Sequence, residues 1–380
     1  MFYWLVWFYL FVGEIFNSFV LYILLGVVVV IDLGLDYRRI VEGFSWKSFD
    51  EYVLDEDFRL SGEVSRILEL TSRYRERIMG LRGVAERIKS IDSGMLGRMR
   101  NLLYSGRVSG VDGTLSLYPT PTGYKCRIGV VSVNYVGDRV EKVVYVSDEN
   151  LIDRGLERIE DVFENIESIA RFSPLLYKSI MLYKEREIAL NDKSDWRLVH
   201  GPLIPLELRL SRLGVDGVLE TNLELAVKLI EDGHIIGVLS SSSRLRLLNI
   251  GYLLKPGEYM YVGDIGRIWE AEMMRGGRNP LLQDFIKNYG DKVSIGLFKA
   301  YRKVYVFEAC KKFFDEAGHL VMADSLPNRF RGFPFLLDYA DRICRSILSS
   351  EEFSEILEYK LMLMEGDDAF MSIDERRMRG

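Results

Sequence analysis

Asp112 lies in the run GVDGTLSLY, among apolar residues and directly before Gly113 and Thr114. A carboxylate in such a run is costly to bury unless it is paired or binds a cation. The competing reading is a hairpin turn, since Asp-Gly is also a strong turn signal. Further along, Asp338 and Asp341 stand three residues apart in FPFLLDYAD. That spacing puts both on one helical face, where they could approach a metal together or simply face solvent. Two basic groups flank this stretch: Lys299, Arg302 and Lys303, then Arg329 and Arg331, with Tyr301, Phe330 and Phe333 interleaved. Cations that follow phosphate and rings that stack on bases suit a single nucleic-acid strand; ordinary surface charge over a core aromatic accounts for the pattern equally well. His234 and His319 have no metal-ligand neighbour at useful spacing and read as structural or surface residues.

The elements that must position these residues follow from periodicity. From Gly62 to Leu103, apolar residues such as Val64, Ile67, Leu68, Leu70 and Ile78 recur at helical spacing, predicting one or two amphipathic helices. Strand-like runs come next at Val108–Leu117, Tyr124–Val136 and Arg139–Ser147, the last two joined by a Gly137-Asp138 turn, which predicts an antiparallel meander. A helical run with Leu156, Ile159, Phe163, Ile166 and Ile169 on one face leads to a second helix after Pro174, ending near Leu190. Short apolar runs at Trp196–Val199, Ile235–Leu239 and Val304–Glu308 predict further strands, with a helix at Leu223–Ile230. Helices from about Leu336 to Leu348 and Glu352 to Met364 close the chain. The expected fold is α/β: a mixed, RNase H-like central sheet flanked by helices, with an N-terminal hydrophobic helix. In such nucleases carboxylates hold two divalent metals that activate water and stabilise the leaving oxygen.

With 380 residues, 48% of them hydrophobic, and only nine Pro, the chain is an ordered protein with a sizeable core. A net charge of −6 confines any nucleic-acid contact to local basic patches. Cys126, Cys310 and Cys344, widely spaced and without a CxxC, suit a reducing compartment and no zinc site, hence a cytoplasmic location. Residues 1–31 are almost continuously apolar, cleanest at FVLYILLGVVVVI from Phe19 to Ile31. A membrane anchor through residues 16–31, an interfacial or buried element, and sequence upstream of the true start all stay open. With the first basic residue at Arg38, a secretory signal is not expected. The expected divisions are a hydrophobic extension and linker at 1–55, a helical part of the core at 56–105, the main domain at 106–350, and a C-terminal helix with a basic tail at 351–380.

Taken together, the motifs resemble those of the NurA family of archaeal and bacterial DNA-end-processing nucleases. GVDGT looks like the family's first Asp-Gly-Ser/Thr motif at Asp112, and LVHGPLIP resembles its second, with His200 where the family has Asp. MLYKEREIAL offers Glu185 or Glu187 for the acidic residue on the preceding helix, and FPFLLDYAD matches the C-terminal motif, with Phe333 in a Tyr position and Asp341 at its end. The family's lysine after the Gly237-Val238 strand is missing from GVLSSSSRLRL, where Arg244 and Arg246 could meet phosphate instead. The resemblance spans about residues 100–348. It implies a metal-dependent nuclease of 5′–3′ exonuclease and single-strand endonuclease type, with Asp112, Glu185 or Glu187, His200 and Asp341 as metal ligands. An imidazole in place of a carboxylate favours Mn²⁺ over Mg²⁺. Also implied are a homodimer, a DNA substrate and a HerA-type hexameric translocase as partner in trimming ends for double-strand-break repair. The altered positions give the alternative: a catalytically weakened DNA-binding or regulatory subunit of the same machinery.

Overall fold

The computed structural model describes residues 83–120, 123–151, 170–210, 213, 215–240, 251, 253–276, 279–347 and 350–363, with Glu42 and most of 64–79 besides. The predicted N-terminal hydrophobic helix, the helical run at 156–169, and Arg244 and Arg246 lie outside the described residues. Among the described residues no helix is long and apolar enough to cross a membrane.

Among the described residues the architecture is mixed α/β, built on a nine-stranded sheet. β2 (Val108–Thr120), β3 (Gly123–Asn134) and β4 (Arg139–Ser147) form the expected antiparallel meander. A helical crossover, α2 (Ser173–Asn191), leads to β5 (Trp196–His200), which pairs in parallel with β2. Helix α3 (Val218–Asp232) then leads to β6 (Ile235–Leu239), parallel to β5. IIGVL is an unbroken apolar run, and WRLVH is buried over its first four residues, because both faces of these central strands are covered. β4, at the edge, is exposed over most of its length.

The other half of the sheet was largely invisible to periodicity. β9 (Tyr305–Cys310) runs antiparallel to β6, followed by β8 (Val293–Lys299), β7 (Glu258–Asp264) and the short β1 (Ile88–Ser90). β1 falls within the stretch from 62 to 103 where one or two amphipathic helices were expected: three residues with one apolar side chain carry no strand signal, and pairing with β7 alone defines them. Helix α1 (Ser93–Tyr104) follows it, capped by Asp92 Oδ1, which accepts the Met95 N–H at 2.7 Å.

Two apolar layers sandwich the sheet. One face carries α2, α3, α4 (Gly266–Gly276) and α5 (Pro280–Tyr289). The other carries α1, α6 (Phe314–Ser325) and α7 (Phe335–Ile347). α7 buries Leu336, Leu337, Ala340, Ile343 and Cys344, a stripe at heptad spacing. It lies so close to β2 that a Cβ on Gly110 would fall 2.6 Å from Leu336 Cβ. The last helix among the described residues is α8 (Ser350–Leu363).

Candidate functional site

Strand pleating determines which side chains meet. Val111 and Val199 face the α2 layer and Val238 faces the α7 layer, so alternation turns Asp112, His200 and Ser240 to the α7 side. The parallel registers Val111↔Val199 and His200↔Val238 bring β2, β5 and β6 side by side. The result is a hydrogen-bonded row at the carboxyl ends of β5 and β6. Asp112 Oδ2 lies 3.1 Å from His200 Nδ1, and His200 Nε2 lies 2.7 Å from Ser240 Oγ. Asp112 is therefore mid-strand, paired with Val131 of β3 and only 4% exposed, which overturns the hairpin-turn alternative.

Glu185 approaches from the opposite layer. It sits on α2, wholly buried, over the Gly113 backbone, where a Cβ would lie 3.4 Å from its Oε2. Its neighbour Arg186, also fully buried, pairs with the Glu185 carboxylate and donates to three carbonyls: Leu203 (3.3 Å), His200 (3.1 Å) and Pro202. Glu308 of β9 completes the brace, accepting the Leu203 N–H at 3.0 Å. Glu187, the other sequence candidate, is partly exposed and pairs with Lys184. Asp341 on α7 bonds Arg345 Nε at 3.0 Å, and its charge is felt at His200 and Cys344. Asp338 turns away to Asn328 and Arg331 and closes a loop.

Burial opposes charge on His200, but its hydrogen bond to Asp112 and the charges of Asp112, Glu185 and Asp341 outweigh burial and raise it above its ordinary value. Burial likewise pushes Glu185 up, against Arg186, with Asp112 adding to the rise. The acids of the cluster thus pair with its own basic side chains. Asp112 is engaged by His200 through Oδ2 and by the Gly113 N–H through Oδ1, and Glu185 by Arg186. Among the described residues no group of three or more His, Cys, Asp and Glu is arranged to hold a metal ion. The donor set as placed does not fit the two-metal centre that the resemblance implies.

Beside the site, Phe333 packs on His200 with ring centroids 5.6 Å apart and on Tyr305 at 5.1 Å. The loop before it is braced at many points. Asn328 O accepts the Gly332 N–H at 2.7 Å, Asn328 Nδ2 donates to Phe333 O at 3.1 Å, and the Tyr301 and Tyr305 hydroxyls donate to Leu326 O and Arg331 O. This loop holds Arg329 and Arg331 at the surface and leaves Phe330 98% exposed. Arg302 and Lys303 are exposed on the adjacent β8–β9 turn, with Lys303 Nζ 5.3 Å from the Tyr305 ring centroid. Lys299 departs from the expected group: it is half-buried among the charges of Arg75 and Glu258, and burial lowers its pKa. His319 is a helix-end contact, taking the Asp92 N–H on Nε2 at 3.1 Å, while His234 stacks on Phe313 at 4.4 Å. The sequence reading missed Arg186 and Ser240. An arginine embedded in KEREIAL beside two acids was the available signal for the first, and Ser240 carried none within a run of four serines.

No family model matches the chain, and no curated protein does. Among solved structures it is similar to the NurA nuclease from Sulfolobus solfataricus, at 15% identity and TM-score 0.46 over 81% of this chain and 97% of that one. It is similar also to NurA bound to dAMP and manganese, at 9% identity and TM-score 0.42 over 76% and 93%. Endonuclease V from Bacillus subtilis stands at 11% identity and TM-score 0.31 over 68% and 91%. The likeness is one of mixed α/β sheet and flanking helices.

Proposed function

We propose that the chain is a nuclease-type protein that binds a DNA strand across the carboxyl ends of β5 and β6 and hydrolyses phosphodiesters at the Asp112–His200 pair. The observation that carries this reading is Asp112: a nearly buried mid-strand carboxylate, held by an imidazole beside Glu185, at the edge where open α/β sheets bind ligands. The strand order β4-β3-β2-β5-β6 supports an RNase H-like core. Exposed Arg302, Lys303, Arg329 and Arg331 supply phosphate contacts, with Arg244 and Arg246 assigned to the same role from their place after Ser240. Mn²⁺ could enter only by displacing His200 from Asp112. The finer parts of the reading rest on motif order alone: a homodimer, a HerA-type translocase, DNA-end processing in double-strand-break repair with 5′–3′ polarity, a cytoplasmic location and a membrane contact through residues 16–31.

One observation favours a second reading. Arg186 and His200 already pair off the acids, as expected of a weakened member that binds DNA as a regulatory subunit. End-labelled single-stranded and duplex DNA incubated with the full chain in Mn²⁺, Mg²⁺ or EDTA separates the two. Cleavage lost in Asp112→Asn supports the nuclease, whereas binding without cleavage in every condition supports the regulatory subunit. Neither binding nor cleavage sinks both.

A further inference from the structure

Three side chains, on β2, at the end of β5 and just past the end of β6, form a continuous relay: Asp112 Oδ2 to His200 Nδ1 at 3.1 Å, and His200 Nε2 to Ser240 Oγ at 2.7 Å. This is the arrangement of a hydroxyl nucleophile, its base and the carboxylate that orients the base, a constellation recognised by geometry and roles rather than chain order. Accessibility rises along it. The Asp112 side chain is 6% exposed and that of His200 27%, and Ser240 stands just past the end of β6, partly open to solvent. Both ends of the imidazole are fixed by its partners, and Phe333 packs on its ring. The strand that carries it is anchored by Arg186, which holds the His200 carbonyl at 3.1 Å.

We propose that Ser240 is a nucleophile activated by His200 and Asp112, and that it attacks the phosphorus of a nucleic-acid phosphodiester. The choice of substrate rests on the functional reading above; the nucleophile does not. In the first half, the Ser240 Oγ–P bond forms and the P–O bond to one sugar oxygen breaks. His200 takes the hydroxyl proton, and the departing sugar oxygen, in line and opposite Oγ, takes a proton from solvent, leaving a phosphoseryl–DNA ester. In the second half, water attacks that phosphorus opposite Oγ and gives its proton to solvent, while His200 returns its proton to Oγ and Ser240 leaves as the hydroxyl. The net reaction is hydrolysis.

A biotinylated fluorophosphonate tests the nucleophile without DNA, because attack forms the Oγ–P bond and expels fluoride. The full chain is expected to carry the label on Ser240 when its peptides are read by mass spectrometry. His200→Gln is expected to slow labelling by about a hundredfold or more, the scale of lost general-base assistance. Asp112→Asn is expected to slow it as well, with thermal melting confirming that each variant is folded. Label absent from Ser240, or equally fast in His200→Gln, overturns the proposal. A second arm uses single-stranded DNA with a bridging phosphorothiolate, whose thiol leaving group cannot reseal, in EDTA. A denaturation-stable adduct in the wild type that is absent from Ser240→Ala supports the phosphoseryl step. DNA bound but never captured, with Ser240 unlabelled, removes the nucleophile and leaves the nuclease reading standing. Ser240 labelled in a chain that neither binds nor cuts DNA keeps the nucleophile and removes the phosphodiester reading.

Discussion

The two ends of the β2–β5 pair treat a carboxylate in opposite ways. At the carboxyl end of β5, Asp112 and Glu185 are met by His200 and Arg186, side chains that can carry positive charge, within a closed cluster. At the other end, Asp192 lies in an open groove of about 420 Å³ lined by Arg107, Ser109, Asn134 and Lys193 among others. There neutral donors satisfy it: Ser132 Oγ at 2.7 Å and the Ser194 N–H at 2.8 Å. Burial works against charge on Asp192, but these hydrogen bonds outweigh it and lower its pKa, whereas Glu185 is raised. The roomier end is thus a self-satisfied turn, and the tighter end meets its acids with basic side chains.

Arg186→Met tests the comparison hardest. It strands Glu185 and three carbonyls, and breaking a buried pair costs about 3–5 kcal/mol. Urea unfolding is expected to show that loss, with part of it regained in Arg186→Met/Glu185→Gln; a loss below about 1 kcal/mol would mean the pair is not internal. His200→Asp comes next. It replaces the imidazole by a third acid and is expected to cost about 2 kcal/mol without metal, the scale of a charged hydrogen bond. Mn²⁺ at a hundred times its Kd should then return about 2.7 kcal/mol. A variant whose melting ignores Mn²⁺ would show that the position touches no metal.

The pH dependence should differ in sign at the two ends. Glu185, raised, contributes stability that is present below the ordinary glutamate range and lost as pH rises through its folded value, so Glu185→Gln should flatten the alkaline side of the stability curve. Asp192, lowered, contributes stability present above the ordinary aspartate range and lost as pH falls through its folded value. Asp192→Asn should flatten the acid side and cost about 1 kcal/mol at neutral pH. Parallel slopes in the two variants would collapse the distinction. Phe330→Ala, the smallest effect on stability, should leave melting unchanged because the ring is 98% exposed. It should weaken single-stranded DNA binding by about tenfold while blunt duplex binding stays level, the scale of one stacked base. Equal losses on both substrates would assign the ring to something other than stacking.

The meander, the crossover and the parallel strands were legible in the sequence because two-residue and 3.6-residue periodicities survive where one or both faces are covered. The antiparallel extension was legible only at β9: EYMYVGD and VSIGLFK have mixed patterns, and the three-residue β1 exists only through its partner. At the site, Asp112 could be read as an acid in an apolar strand, but the row it belongs to could not. His200 and Ser240 meet it through strand registers set by residues 88 and 128 positions further on, and no local spacing encodes that. Glu185 was separated from Glu187 only by the side of α2 each occupies.

The long hairpin of β2 and β3 has a kinetic consequence. Its pairings and those of β4 join neighbours in the chain and close small loops, whereas β2 meets β5 only after the whole α2 crossover is in place. Loop-closure entropy makes such distant pairings late events. The Asp112–His200–Ser240 row is therefore expected to assemble near the end of folding, after the meander has formed. Substitutions there should accelerate unfolding and leave the refolding rate almost untouched, while changes in the β2–β3 hairpin should slow refolding.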